Sequence, residues 1–430
     1  MKRKIIQLCL LYILIIMLGS CTMAPEYKRS EAPVPSRLSD GASYKGAEGD
    51  GGVTNVSELK WEDFFTDPKL KEVIAVALKN NRDLKLSALN VEKAMAMYGI
   101  KRAALLPTVS GSASMTKQHV PADLSSTGKE MTSTQYGANV GIASWEMDFF
   151  GRIRSLKDQA LEEYMATEQA RRGAQISLIS SVANAYLALA ADKGNLKLAT
   201  STLESRQASY HLIERRYQVE LATELDLRQA QTQVDAARGD VALYTQLVAQ
   251  DLNALSLLAG SPVPEELLPE DLDSVAPPIN IFPGLSSEVL LNRPDIIAAE
   301  HRLKGAYAYI GAARAACFPS ISLTTTVGTA SSDLSNLFNS GQGTWSFIPQ
   351  INIPIFNPGV WAAVRVSKVE REIALTEYEK TIQEAFREVS DTLAEHGMVD
   401  QRLSAQQSLV DAVESSYSLS NLRYSKGGAS

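Results

Sequence analysis

The chain has 430 residues, a net charge of −7 and 45% apolar residues, enough for two or three ordinary domains or one extended one. The acidic balance argues against a nucleic-acid partner, which requires a basic face. Ala, Leu, Gln, Glu and Ser dominate the long middle stretches, a composition that leans toward helix and coiled coil.

Met1-Lys2-Arg3-Lys4 is basic, and the apolar run Ile5 to Leu18 follows, the one run of membrane-inserting character in the sequence. Leu18-Gly19-Ser20-Cys21 then places a cysteine where a signal peptidase cuts. The stretch is read as a lipoprotein signal over residues 1–20, with Cys21 the lipidated mature N-terminus. Several acyl chains on one cysteine anchor stably. Cys9 leaves with the signal and Cys21 carries lipid, so Cys317 alone remains. That excludes a disulfide framework or a cysteine metal cluster and suggests a small buried hydrophobe. Residues 21–55 are rich in Pro, Gly and Ser and read as an extended tether.

The remainder repeats itself. Asn81-Arg82 matches Asn292-Arg293, Leu106-Pro107 matches Phe318-Pro319, "WEMDFFGRIR" matches "NIPIFNPGVW", and Arg216-Tyr217 matches Arg423-Tyr424. The repeats are taken as residues 56–260 and 291–430, joined by a linker over 261–290. In each, an Ala-rich helix (Asp83–Leu105, Asp295–Ala316) ends at a proline, which cannot continue it. Beyond the proline the period changes from 3.6 to 2.

Strands are expected at about 108–117 and 135–147, and again at about 320–328 and 344–356. Ile321, Leu323, Thr325 and Val327 alternate with Ser320, Ser322, Thr324 and Thr326. Trp345, Phe347 and Ile351 alternate with Ser346, Gln350 and Asn352. Such alternation fits a half-buried hairpin or a tilted transmembrane strand. The small hydroxylic face suits a watery lumen, and secretion and the repeat favour a barrel. Four strands cannot close one, so a membrane reading requires an oligomer.

Proline-free stretches follow each second strand: Gly151 to about Tyr217, Thr223 to about Leu258, and Trp361 to Tyr424. They read as long helices lying side by side. His119, His211, His301 and His396 have no ligand spacing, and no nucleotide-binding or hydrolase motif stands out. The chain is therefore not read as an enzyme, and no cofactor is expected.

A lipobox, a tether and two repeats of helix, proline, strand, loop, strand and long helix resemble the outer membrane factor family, nearest to its lipoprotein efflux channels. "NRPDIIAAEHRLKGAYAYIGAARAACFPSISL", "WEMDFFGRIR" and "RRYQVELATELDLRQAQ" carry the resemblance, which runs from Cys21 to the end. It implies an α+β membrane protein: a homotrimer whose outer-membrane β-barrel, four strands per chain, continues into a periplasmic α-helical barrel. It further implies the exit duct of a tripartite pump, partnered by a periplasmic adaptor and an inner-membrane transporter of the resistance-nodulation-division (RND) type. The localisation implied is the cell outer membrane, lipid-anchored and membrane-spanning. Other readings are a duct for type I protein secretion, a lipid-anchored structural coiled coil of the envelope, and a nonfunctional remnant.

By the same resemblance, the turn from Tyr217 to Thr223 is a periplasmic tip. Family tips carry a glycine where Glu220 stands, while the second tip keeps Gly427 after Tyr424. An Asp–Tyr contact that closes the duct in a relative falls on Asp226 and Tyr424, and an arginine that assists it falls on Ala429. The second repeat stops shortly after Tyr424, whereas the first continues through a whole helix. About 35 to 40 residues of a returning helix are expected to be missing.

Overall fold

The structure is a computed structural model and describes residues 22–36, 59–279 and 287–425. The signal segment, Cys21, most of the tether and Gly427 lie outside the described residues, and Tyr424 is described as helix backbone only.

Among the described residues, seven α-helices and four strands follow one another: α1 (Trp61–Phe64), α2 (Pro68–Asn80), α3 (Arg82–Ala103), β1 (Val109–Val120), β2 (Met131–Met147), α4 (Arg152–Gln218), α5 (Glu224–Ala259), α6 (Pro294–Ala315), β3 (Ser320–Ser331), β4 (Gly343–Asn352) and α7 (Pro358–Ser425). The chain divides into two compact units. One takes residues up to Glu31, Asn90–Gln169 and Ile297–Lys380; the other takes Ala32–Leu89, Ala170–Ile296 and Thr381 onward. Each unit draws on both halves of the sequence repeat.

The first unit holds the sheet. Its strands run in order β1-β2-β3-β4, all antiparallel. Pro107 and Pro319 each stand just ahead of a strand, where a missing amide disturbs no ladder. β2 is 17 residues long and begins at Met131, four residues before its expected start. Its partner β1 runs on to Val120, and the pairing Val120↔Met131 recruits the extra residues from the loop. β4 stops at Asn352, short of residue 356. Ile353-Pro354 follows, and Pro354 has no amide to extend the ladder.

The second unit has a hydrophobic core that the sequence pattern did not announce. Leu70, Val73, Ile74 and Ala77 form one face of α2. They pack with Leu178, Ile179, Val182, Ala183, Tyr186 and Leu189 of α4, Leu255 of α5 and Leu267. Asp67 caps α2 by accepting from the Leu70 amide at 2.8 Å, and its other oxygen accepts from Ala276 at 3.2 Å. The Tyr186 hydroxyl donates to the Leu267 carbonyl at 3.1 Å. Burial of its ring pushes the phenol up to about 12.

One expectation is corrected here. α4 contains a second membrane-length apolar window, of mean hydropathy 1.4. Part of its apolar stripe, Leu178 to Leu189, packs against α2. Two described parts of the linker are docked: Leu267 is buried in the core, and Thr66 donates to the Pro277 carbonyl at 2.6 Å. Two smaller corrections follow. Cys317 is exposed, because it lies on the turn past the end of α6 and not on a packed face. Of the tether, residues 22–36 are without helix or strand, yet several of them are bonded to the first unit.

Candidate functional site

The register of the sheet sorts its residues into two faces. Directly paired residues share a face, so Val109, Ala113 and Met115 of β1 lie with Ile142, Ala138 and Tyr136 of β2. The same face continues through Val140↔Val327 and Val327↔Trp345 to Phe347 and Ile351. The opposite face holds Ser110, Ser112, Ser114, Asn139, Ser322, Thr324, Thr326, Ser346 and Gln350. Ile348 and the end pair Val120↔Met131 are apolar residues on this face. The apolar face is uncovered in the single chain: Val140 is 57%, Val327 66% and Trp345 78% exposed.

A bulge keeps this sorting intact. Pairing shifts between Ile142 and Trp145, with Ser144 at a φ of 53° and its amide donating to Thr324 Oγ1 at 3.1 Å. One extra residue on β2 returns Trp145 and Met147 to the apolar face and puts Glu146 on the polar one. At this joint β2 and β3 approach closely. A Cβ on Gly141 would stand 2.1 Å from the Thr325 carbonyl oxygen, and one on Gly328 would stand 2.1 Å from that of Ala138.

The "WEMDFFGRIR" motif turns the chain from sheet to helix. Asp148 accepts from the backbone amides of Ile153 (3.2 Å) and Arg154 (2.8 Å), capping α4. Glu146 takes both Arg152 Nε (2.8 Å) and Nη2 (2.6 Å). Phe150 stacks on Phe318 at 5.0 Å between centroids, joining the two repeats. In the second unit, the NRPD motif is a clip. Arg293 holds Asp295 (3.1 and 2.8 Å) and reaches Glu388 of α7 at 2.9 Å. Burial disfavours the Asp295 anion, but the Arg293 bonds outweigh it and hold the carboxyl below its usual range.

Tyr217, Glu220 and Asp226 lie along the turn between α4 and α5. The Leu221 amide donates to the Arg216 carbonyl (2.7 Å) and the Glu220 amide to that of Tyr217 (3.0 Å). This is the Schellman pattern, whose left-handed position favours glycine. Glu220 occupies it at a φ of 61°. The turn therefore forms with glutamate at its left-handed position, at a local cost. Thr223 and Asp226 form a reciprocal capping box: Asp226 N donates to Thr223 Oγ1 (3.2 Å), and Asp226 Oδ2 accepts from Thr223 N (2.9 Å) and Oγ1 (2.7 Å). The Thr223 backbone bond and then its hydroxyl hold the Asp226 carboxyl below its ordinary value. Val219, Leu221 and Leu225 are exposed around the turn.

The family model of the outer membrane efflux protein matches residues 73–261 and 285–430. The chain belongs to the outer membrane efflux protein family. The probable efflux pump outer membrane protein TtgC of Pseudomonas putida is 46% identical over 414 residues, covering 95% of this chain and 84% of that protein. A crystal structure of a membrane protein from Pseudomonas aeruginosa has a TM-score of 0.87 at 37% identity, covering 95% of this chain and 92% of that one. The open state of the Neisseria gonorrhoeae MtrE outer membrane channel has a TM-score of 0.83 at 36% identity, covering 95% and 89%. The two-faced sheet is this chain's share of the outer-membrane barrel of such channels.

Sequence reasoning missed the α2 core, the bulge at Ser144 and a buried carboxylate, Glu300. The last had a signal: Glu300 sits four residues after Ile296 and three before Leu303, on the buried stripe of α6.

Proposed function

We propose that this chain is one subunit of the outer-membrane exit duct of a tripartite efflux pump. The observation that carries the reading is the sheet: an uncovered apolar face backed by a face of Ser, Thr, Asn and Gln, continuous through four paired strands. In lipid a sheet cannot leave its edges open. Three copies supply twelve strands, within the range of outer-membrane barrels. Relatives are named for antibiotic, toluene and solvent efflux, which supports small toxic compounds as the cargo. The energy is supplied by an RND-type transporter in the inner membrane, reached through a periplasmic adaptor that docks on the helical tips. Lipidation of Cys21 anchors the assembly.

Purified protein in planar bilayers tests the duct. Stepwise conductance from a heat-modifiable trimer is expected; a protein that inserts no pore sinks the reading and leaves a lipid-anchored coiled coil. The family's closing contact is proposed between Asp226 and Tyr424. Asp226 also caps α5, so Asp226→Ala mixes two effects. Tyr424→Phe leaves the capping box whole, and unchanged gating in that variant rules the contact out.

A further inference from the structure

We infer that α6 carries a docking site for residues 22–31, an extended strap locked by Glu300, and that this lock fixes where the lipid-bearing end of the chain lies. The placement of the lipid rests on the reading of Cys21 as lipidated; the docking does not.

Glu300 is 5% exposed, a burial that an acid tolerates only when it is well partnered. Its partners come mainly from the strap. Tyr27 donates its hydroxyl to Oε1 at 3.1 Å. Arg29 is bidentate, Nε to Oε1 at 3.2 Å and Nη2 to Oε2 at 2.6 Å, the strongest form of ion pair. Tyr27 and Arg29 are two apart, so an extended strap aims both at one carboxylate while Lys28 points away. α6 completes the site. Lys304 Nζ is 3.1 Å from Oε1 and 5.3 Å over the Tyr27 ring. Tyr307 meets Tyr27 edge-on at 5.5 Å.

The upstream part of the strap is seated as closely. Arg314 donates to the Met23 carbonyl at 3.1 Å. Thr22 and Ser155 share a hydroxyl bond of 3.2 Å. A Cβ on Gly311 would stand 2.7 Å from the Ala24 amide nitrogen, so the helix is bare where the strap crosses it. Ser155 lies in the first turn of α4, eight residues past the end of β2. Thr22 is bonded there, and Cys21 is the next residue. The lipid therefore departs beside the sheet's margin, where a membrane boundary falls if the sheet is the membrane element.

Trypsin cleavage after Lys28 in the full-length, nanodisc-embedded protein reads the lock. Glu300→Gln keeps shape and removes the charge, and cleavage is expected to rise about tenfold, as loss of charge-assisted bonds from a half-exposed Arg29 to a buried carboxylate implies. Arg29→Met should act alike, and the double variant should be no worse than Glu300→Gln alone, because both remove one interaction. Gly311→Ala should free the strap by a different route. Unchanged cleavage in Glu300→Gln, or additive effects in the double variant, overturns the proposal. Cys21→Ser separates the two readings. Retained protection supports a lock independent of lipid, and lost protection overturns it. Mass spectrometry showing no lipid on Cys21 removes the lipoprotein reading and leaves the docking untouched.

Discussion

Glu220 is a residue whose backbone contradicts its side chain. Left-handed geometry costs a residue with a Cβ about 1 to 2 kcal/mol, and the two hydrogen bonds of the turn hold it there. Glu220→Gly should relieve most of that cost, and the amides of Glu220 and Leu221 should exchange more slowly. Glu220→Ala retains the Cβ and should exchange as the parent does. The comparison fails if both variants behave alike. Glu300 makes a second residue-scale prediction, in its response to acid. Burial works against its ionisation, but the bonds from Arg29 and Lys304 outweigh burial and hold the carboxyl below the usual range. The other groups facing it are Tyr27 and Tyr378, both phenols raised by their own burial, so neither titrates in acid. A lowered folded value means the stabilisation is complete above the ordinary glutamate range of about 4.3 and is lost as pH falls through the folded value. Exchange of strap amides, corrected for intrinsic rate, should be flat from pH 7 to about 5 and accelerate below. Glu300→Gln should show no such step.

At the scale of elements, the joint between β2 and β3 binds the two repeats, and its tolerance is narrow. Gly328→Ala places a methyl 2.1 Å from a backbone oxygen of β2. Backbone cannot step aside as a side chain can, so the ladder must open; overpacking of this kind costs about 1 to 3 kcal/mol or more. The sheet should lose its heat-modifiable mobility at lower temperature. Gly343→Ala is the control, since a Cβ there meets nothing within 4 Å. The strands themselves were legible because period 2 and a preceding proline are local signals. The long helices were legible because no proline interrupts them. What escaped was non-local. The bulge at Ser144 depends on a hydroxyl 180 residues away. Part of the apolar stripe of α4 acquires its meaning from α2, and Glu300 looks like a solvated acid until Arg29, 271 residues earlier, reaches it. The capping box at Thr223-x-x-Asp226 is a local signal, set by residues three apart.

For the whole molecule, the decisive property is that one sheet must serve two solvents. β1 and β4 have no neighbour on their outer sides among the described residues, and their unpaired amides and carbonyls are intolerable in lipid. Closure by further copies settles the edges, but it does not say which face looks outward. That orientation is argued from the register alone: Val140 belongs to the face of Val327 and Trp345, and Ser112 to the face of its partner Asn139. A lysine on the lipid face near the bilayer midplane costs about 2 to 4 kcal/mol per chain, whereas a lumen lysine keeps its water. In a closed assembly every copy bears the charge, so the penalties accumulate. Val140→Lys should therefore fail to give a folded, heat-modifiable barrel in liposomes. Ser112→Lys, on the strand beside it, should insert normally and carry current with selectivity shifted toward anions, because its ammonium adds positive charge to the pore wall. If Val140→Lys inserts and shifts selectivity while Ser112→Lys fails, the faces are assigned in reverse. If both insert equally well, the sheet does not face lipid at all.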